Sequence, residues 1–187
     1  ALIHTNLKDL TDAPEHPSVR RYLFSGTQHG SGVFPQIDFR EGDGVKGQIA
    51  FNMIDYAPLH RAALVNLDRW VLGEADPPPS CHPSFAYGTA IESKSILEKF
   101  KLLPGVNVPT KTTMAMRLDY GPDTHLGRTT QLPAIEGEVY PALVSDIDDN
   151  FNEIAGIRLP DIDVPLATST GWNLRHYSIG NPGLYIG

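Results

Sequence analysis

The apolar run Tyr22-Leu23-Phe24 stops at Ser25-Gly26, and Thr27-Gln28-His29-Gly30-Ser31-Gly32 then carries a lone histidine through a loop with three glycines around it. Val19 to Ser25 shows no clear alternation of apolar and polar residues. That pattern predicts a strand covered on both faces, as in a parallel sheet. The next regular element, Asn52 to Leu72, is a long amphipathic helix at roughly one element's spacing. Strand, histidine loop and returning helix together predict an α/β architecture.

The helix has legible ends. Asn52 or Asp55 is placed to cap its first turn, Pro58 suits an early position, and Gly73 follows the last apolar residue as a C-terminal cap. Leu59, Ala63, Leu67 and Trp70 share one face, with Ala62, Val65 and Val71 widening the stripe; Asn66, Asp68 and Arg69 fall largely outside it. Pro77-Pro78-Pro79 then makes a stiff extended connection.

Before the strand, residues 1–18 read as a connecting loop, and Gly26 to Gly47 reads as loop throughout. Ser93 to Phe100 predicts two turns of helix, with Ser95 and Glu98 at capping-box spacing. Met114, Met116, Leu118 and Tyr120 alternate with polar neighbours, which predicts a strand buried on one face. Tyr140 to Ile147 and Glu153 to Leu159 predict a hairpin turning at Asp148 to Asn152. Ile162 to Leu166 predicts a short edge strand, and Thr168 to Gly187 a loop anchored by Trp172 and Tyr185.

The formal charge of −7 argues against a phosphate-binding surface, so nucleic acid is not an expected partner. No apolar run is long enough to span a membrane. Cys81 is the only cysteine, which excludes an intrachain disulfide. The 17 glycines and 16 prolines are spread along the whole chain, and predict many turns and long ordered loops. The first residue, Ala1, reads as a cut rather than a translation start.

His29 is the leading candidate for chemistry. A general base must be held near its partners yet be free to exchange protons, and a loop at a strand's end meets both needs. The local pattern fits equally an exposed loop histidine hydrogen-bonded by Thr27 or Gln28; the helix that follows favours the base. No G-x-S-x-G elbow occurs, and Gly26-Thr27-Gln28-His29-Gly30 has glutamine where a nucleophile would stand. Ser31 lies too close in sequence to fold back onto His29. Cys81 and His82 are adjacent, so their side chains point apart, which favours a structural reading.

Metal chemistry finds no support. Histidines at 4, 16, 29, 60, 82, 125 and 176 include no pair one helical turn apart. Asp146, Asp148, Asn150 and Asn152 imitate a calcium loop, but Phe151 stands at the sixth place and Ile157 at the twelfth. An acidic hairpin turn explains them. Phosphate-cradling and dinucleotide fingerprints are missing.

Four stretches, Tyr22 to Gly30, Asp55 to Val71, Pro77 to Ser80 and Glu153 to Pro160, together with Val164-Pro165-Leu166-Ala167-Thr168-Ser169-Thr170-Gly171-Trp172-Asn173-Leu174-Arg175, resemble the C-terminal part of the bacterial alpha/beta hydrolase domain family. The resemblance implies an α/β-hydrolase fold, a serine nucleophile and esterase-like chemistry with no metal or organic cofactor. Residues 1–80 would supply the C-terminal strand, histidine loop and last helix of the sheet. Residues 81–187 would form a β-rich extension packed on it. Only His29 carries over as catalytic. The serine and the acid would come from an upstream segment or companion chain, with a small-molecule ester as substrate, and this chain would be inactive alone. The rival reading is a non-catalytic accessory subunit whose β-rich half binds a partner or ligand.

Overall fold

The computed structural model describes residues 3–6, 9–110, 112 and 114–186. Ala1, Leu2, Leu7 and Lys8 of the expected connecting loop, and Gly187 of the tail, lie outside the described residues.

The Tyr22–Ser25 run sits between two other segments and pairs with both. On one side Leu23 N donates to the Cys81 carbonyl and Cys81 N to the Arg21 carbonyl, each at 2.9 Å. On the other, Ser25 N donates to Ile157 O at 3.1 Å and Ile157 N to Leu23 O at 2.7 Å. Both pairings are parallel, as the lack of alternation predicts. They are single bridges rather than long ladders, and Tyr22, Leu23 and Phe24 are half-buried, not sealed on both faces. Gly156 permits the close pairing. It has φ +91°, and a Cβ there would lie 2.5 Å from the Leu23 carbonyl oxygen.

Short antiparallel pairs surround this centre. The loop expected over Gly26 to Gly47 contains a small hairpin, β1 (Phe39–Arg40) with β2 (Val45–Lys46). Helix α1 spans Ala57–Val71, and Asp55 Oδ1 accepts from Ala57 N at 2.9 Å where the chain turns into it. It ends as expected at Gly73, φ +72°, with Glu74 N reaching back to Arg69 O at 2.9 Å. The face it presents differs from the expected one. Leu59, Ala63, Asn66 and Trp70 are half-buried against the body, while Leu64, Val65, Leu67 and Val71 are exposed. Trp70 carries the Arg20 guanidinium over its ring at 4.8 Å.

Strand β3 (Ala90–Glu92) leads into α2 (Ser93–Phe100), whose bounds are those expected. Its N-cap is Glu92 without a side-chain bond, so the Ser95 to Glu98 capping box does not form. Strand β4 (Met116–Asp119) pairs with β5 (Ile135–Val139), and every residue of both is exposed. The predicted one-sided burial of β4 is therefore wrong: alternation marks two faces, but among the described residues no layer covers either face of this two-stranded ribbon. Strand β6 (Leu143–Ser145) pairs with β3, leaving only the Ile147–Glu153 bridge and the 148–152 turn of the expected hairpin. Pro160–Asp163 forms a helical turn, α3, where an edge strand was predicted over Ile162 to Leu166. Pro160 at the first helical position favours this start. The tail holds β7 (Asn173–Leu174) and β8 (Tyr185–Ile186), paired with each other. Phe51, Ile54, Ile96, Phe100, Ile162 and Leu174 are the larger buried apolar residues, with Trp172 edge-on to Phe100 at 5.4 Å.

The N-terminal strap is fastened by two carboxylates. Asp12 accepts from Ala86 N at 2.9 Å, Phe85 N at 3.1 Å and the Ser84 hydroxyl. Burial works against its charge, but these bonds and nearby His82 hold its carboxyl below the ordinary value. Glu15 is held low by the Ser80 hydroxyl, which outweighs the opposing effect of burial, with Arg21 and His82 adding to it. A carboxyl lowered on folding adds stability above its unfolded pKa and loses it as pH falls through the folded one. The strap is thus fully fastened at neutral pH and loosens below about pH 4. Asp12→Ala is expected to lower unfolding free energy by about 2 kcal/mol at pH 7, measured in urea, with the difference from wild type shrinking at acid pH.

Candidate functional site

Four polar side chains fix the loop that follows Phe24. Ser25 is buried and its hydroxyl donates to the Ala155 carbonyl. Gly26 turns at φ +67°, with its N–H 2.6 Å from Glu153 Oε2 and its carbonyl accepting from Asn52 Nδ2. Asn52 also donates to Thr170 O at 3.2 Å and, through its own carbonyl, accepts from Gly32 N at 2.5 Å. Gln28 is 4 % exposed and points inward, donating to the Thr170 and Trp172 carbonyls at 3.3 Å. The loop is thereby tied at both ends and in the middle to residues 20 to 144 positions away. Such a buried, mutually satisfied polar group rigidifies what it holds.

His29 is the residue this frame leaves outside. It is exposed, and its carbonyl accepts from the Tyr56 hydroxyl at the start of α1. Tyr56 in turn stands edge-on to His60 at 5.0 Å, and Phe24 lies 5.2 Å from His60. The side chains expected to hydrogen-bond an ordinary loop histidine here, Thr27 and Gln28, are engaged elsewhere. The Thr27 hydroxyl donates to Phe24 O at 2.7 Å, and Gln28 faces the interior. No side chain among the described residues hydrogen-bonds the His29 imidazole.

Sequence reading missed the frame. Asn52 was expected as a helix cap; it sits before α1 and clamps the loop instead. Glu153 carried no signal, because its partner Gly26 lies 127 residues away. Burial pushes the Glu153 carboxyl up, and the Gly26 N–H only partly opposes that. Beside the loop lies a groove of about 410 Å³ whose walls include Gln28, Asn52, Met53, Val164 and Leu166. A second cavity, about 650 Å³, reaches Glu153 from the side of Leu23, Tyr140 and Ser145.

The other candidates stay apart from the loop. Cys81 is half-buried in its pairing with Tyr22, and His82 Nδ1 lies 2.8 Å from the Pro83 carbonyl oxygen. In the acidic turn, Asp148 accepts from Asn150 N, Asn152 N and Arg158 at 2.9 to 3.0 Å, so the chain itself occupies its oxygens. Among the described residues no group of three or more His, Cys, Asp or Glu is placed to hold a metal ion. Likewise no described helix is long and apolar enough to cross a membrane.

The family model described as an alpha/beta hydrolase domain covers residues 5–184. No curated protein and no solved structure matches the chain.

Proposed function

We propose, for a chain that belongs to the alpha/beta hydrolase domain family, that it supplies the histidine base of a serine hydrolase acting on carboxylic esters. Family membership supports hydrolase-type function. The observation that carries the finer reading is His29: an imidazole held outward on an anchored loop, with no hydrogen-bond partner among the described residues. A base awaiting substrate and nucleophile needs that freedom.

In the complete site His29 takes the proton of a serine hydroxyl as its oxygen attacks the ester carbonyl. It returns that proton to the alcohol oxygen as the carbon–oxygen bond breaks, leaving an acyl-serine. Water, deprotonated by the same imidazole, then releases the acid and regenerates the serine. The sequence has no G-x-S-x-G elbow. The serine, the acid and most oxyanion donors are therefore assigned to an upstream segment or companion chain. The exposed Leu64, Val65, Leu67 and Val71 of α1 support such a companion, since an apolar helix face is stable when covered. Residues 81–187 are assigned as the extension that packs beside the sheet.

The direct test is reconstitution. The isolated chain should show no turnover and no burst with p-nitrophenyl acetate, and the full-length protein should hydrolyse it. A stoichiometric burst from the chain alone would contradict the division of the site.

A further inference from the structure

We propose that Glu153 is a positioning residue for the histidine loop, its carboxylate holding the left-handed turn at Gly26 from which His29 is aimed. The inference rests on the reading of His29 as the base.

Glu153 is itself well anchored. It pairs with Ile147 at the foot of the 148–152 turn, next to Asn152, which is fully buried. Asn152 donates to Ala167 O at 3.2 Å and accepts from Ser169 N at 2.8 Å, fixing the backbone just before the carboxylate. From there Oε2 accepts the Gly26 N–H at 2.6 Å. No ion pair among the described residues includes Glu153, and its other oxygen has no hydrogen-bond partner among them.

An unpaired carboxylate in this setting is a poor choice for stability alone. A glutamine would accept the same N–H without a charge to desolvate. Burial also raises the Glu153 carboxyl, so its ionised form weakens the fold rather than strengthening it. Groups that cost stability in this way cluster where function requires them. Here the only described bond of the carboxylate is to the loop that carries His29. The turn it holds also accepts from Asn52, so both sides of the Gly26 peptide are fixed.

The test uses the full-length protein, with a fluorophosphonate to count competent active sites, so that kcat is expressed per site. Glu153→Ala should lower kcat about a hundredfold with KM little changed, because a small misplacement of the base carries that penalty. Glu153→Gln keeps the acceptor and loses the charge. It should lower kcat about fivefold while leaving Tm equal to or above wild type. A merely structural role predicts the reverse: lower Tm, fewer competent sites and an unchanged kcat per site, and that outcome overturns the proposal. If Glu153→Ala does not fold, Glu153→Gln decides alone, since wild-type kcat per site there also overturns it. Failure of the base reading is seen separately: His29→Ala would then stay active. An inactive His29→Ala beside fully active Glu153 variants defeats only the positioning role.

Discussion

His29→Ala in the full-length protein is expected to lower hydrolysis of a short p-nitrophenyl ester by about 10³-fold or more. The loss should fall on kcat, because the imidazole moves protons in the transition state and does little to hold the ground state. Stability should not follow. His29 is exposed and its side chain makes no hydrogen bond among the described residues, so truncation should shift unfolding by less than about 0.5 kcal/mol. That separation makes the result interpretable, since activity would vanish from a protein with unchanged Tm. His60→Ala is the matched control. It is another exposed histidine, on the first turn of α1, packed beside Phe24 and Tyr56. A rate within tenfold of wild type for His29→Ala would remove the assignment, and an equal loss in His60→Ala would show that the aromatic cluster, not the base, had been disturbed.

Features that were legible in the sequence are local ones. Ser93 to Phe100 has helical spacing between a strand and a turn, and α2 has those bounds. Gly73 ends α1 because only a left-handed residue lets Glu74 reach back to Arg69. The parallel setting of Tyr22 to Ser25 was readable from missing alternation. Its partners, Cys81 and Ile157, were not, since nothing local encodes a pairing across 59 or 133 residues. The same limit hid the frame around the histidine loop. Asn52, Glu153 and Thr170 look like ordinary polar residues until the chain brings them to Gly26 and Gln28. Periodicity also misled where no second layer exists among the described residues. Met116 and Leu118 alternate with Arg117 and Asp119 as a covered strand would, yet β4 pairs only with β5 and lies open. In α1 the expected stripe is wider than the face used: only its Leu59, Ala63 and Trp70 edge faces this chain. The remainder of that stripe fits the companion proposed above.

Ile162→Ala is expected to destabilise the protein by about 4 kcal/mol, near the upper end for such truncations. Ile162 has no exposed surface and lies on α3 beneath the Gly26 turn. Its Cδ1 is only 2.5 Å from where a Cβ on Gly26 would stand. The cavity left by truncation cannot readily collapse, because Gly26 is tied to Glu153 and Asn52, and α3 is tied through the Ile162 carbonyl to Arg158 at 2.8 Å. Ile162→Val should cost about 1 kcal/mol, since only the δ carbon is lost. The same geometry predicts a coupling. Gly26→Ala places a methyl group against Ile162 and at φ +67°, so alone it should cost about 3 kcal/mol from strain and overlap together. Ile162→Val removes the nearest atom that the new methyl meets, leaving the backbone strain and a tight 3.2 Å contact with the Ser169 carbonyl oxygen. The double variant should therefore be less destabilised than the sum of the two, by about 1 kcal/mol. Urea unfolding of the four proteins measures this directly. Additive losses would mean that the turn and α3 do not pack as described, and would weaken the case that His29 is aimed from a rigid base.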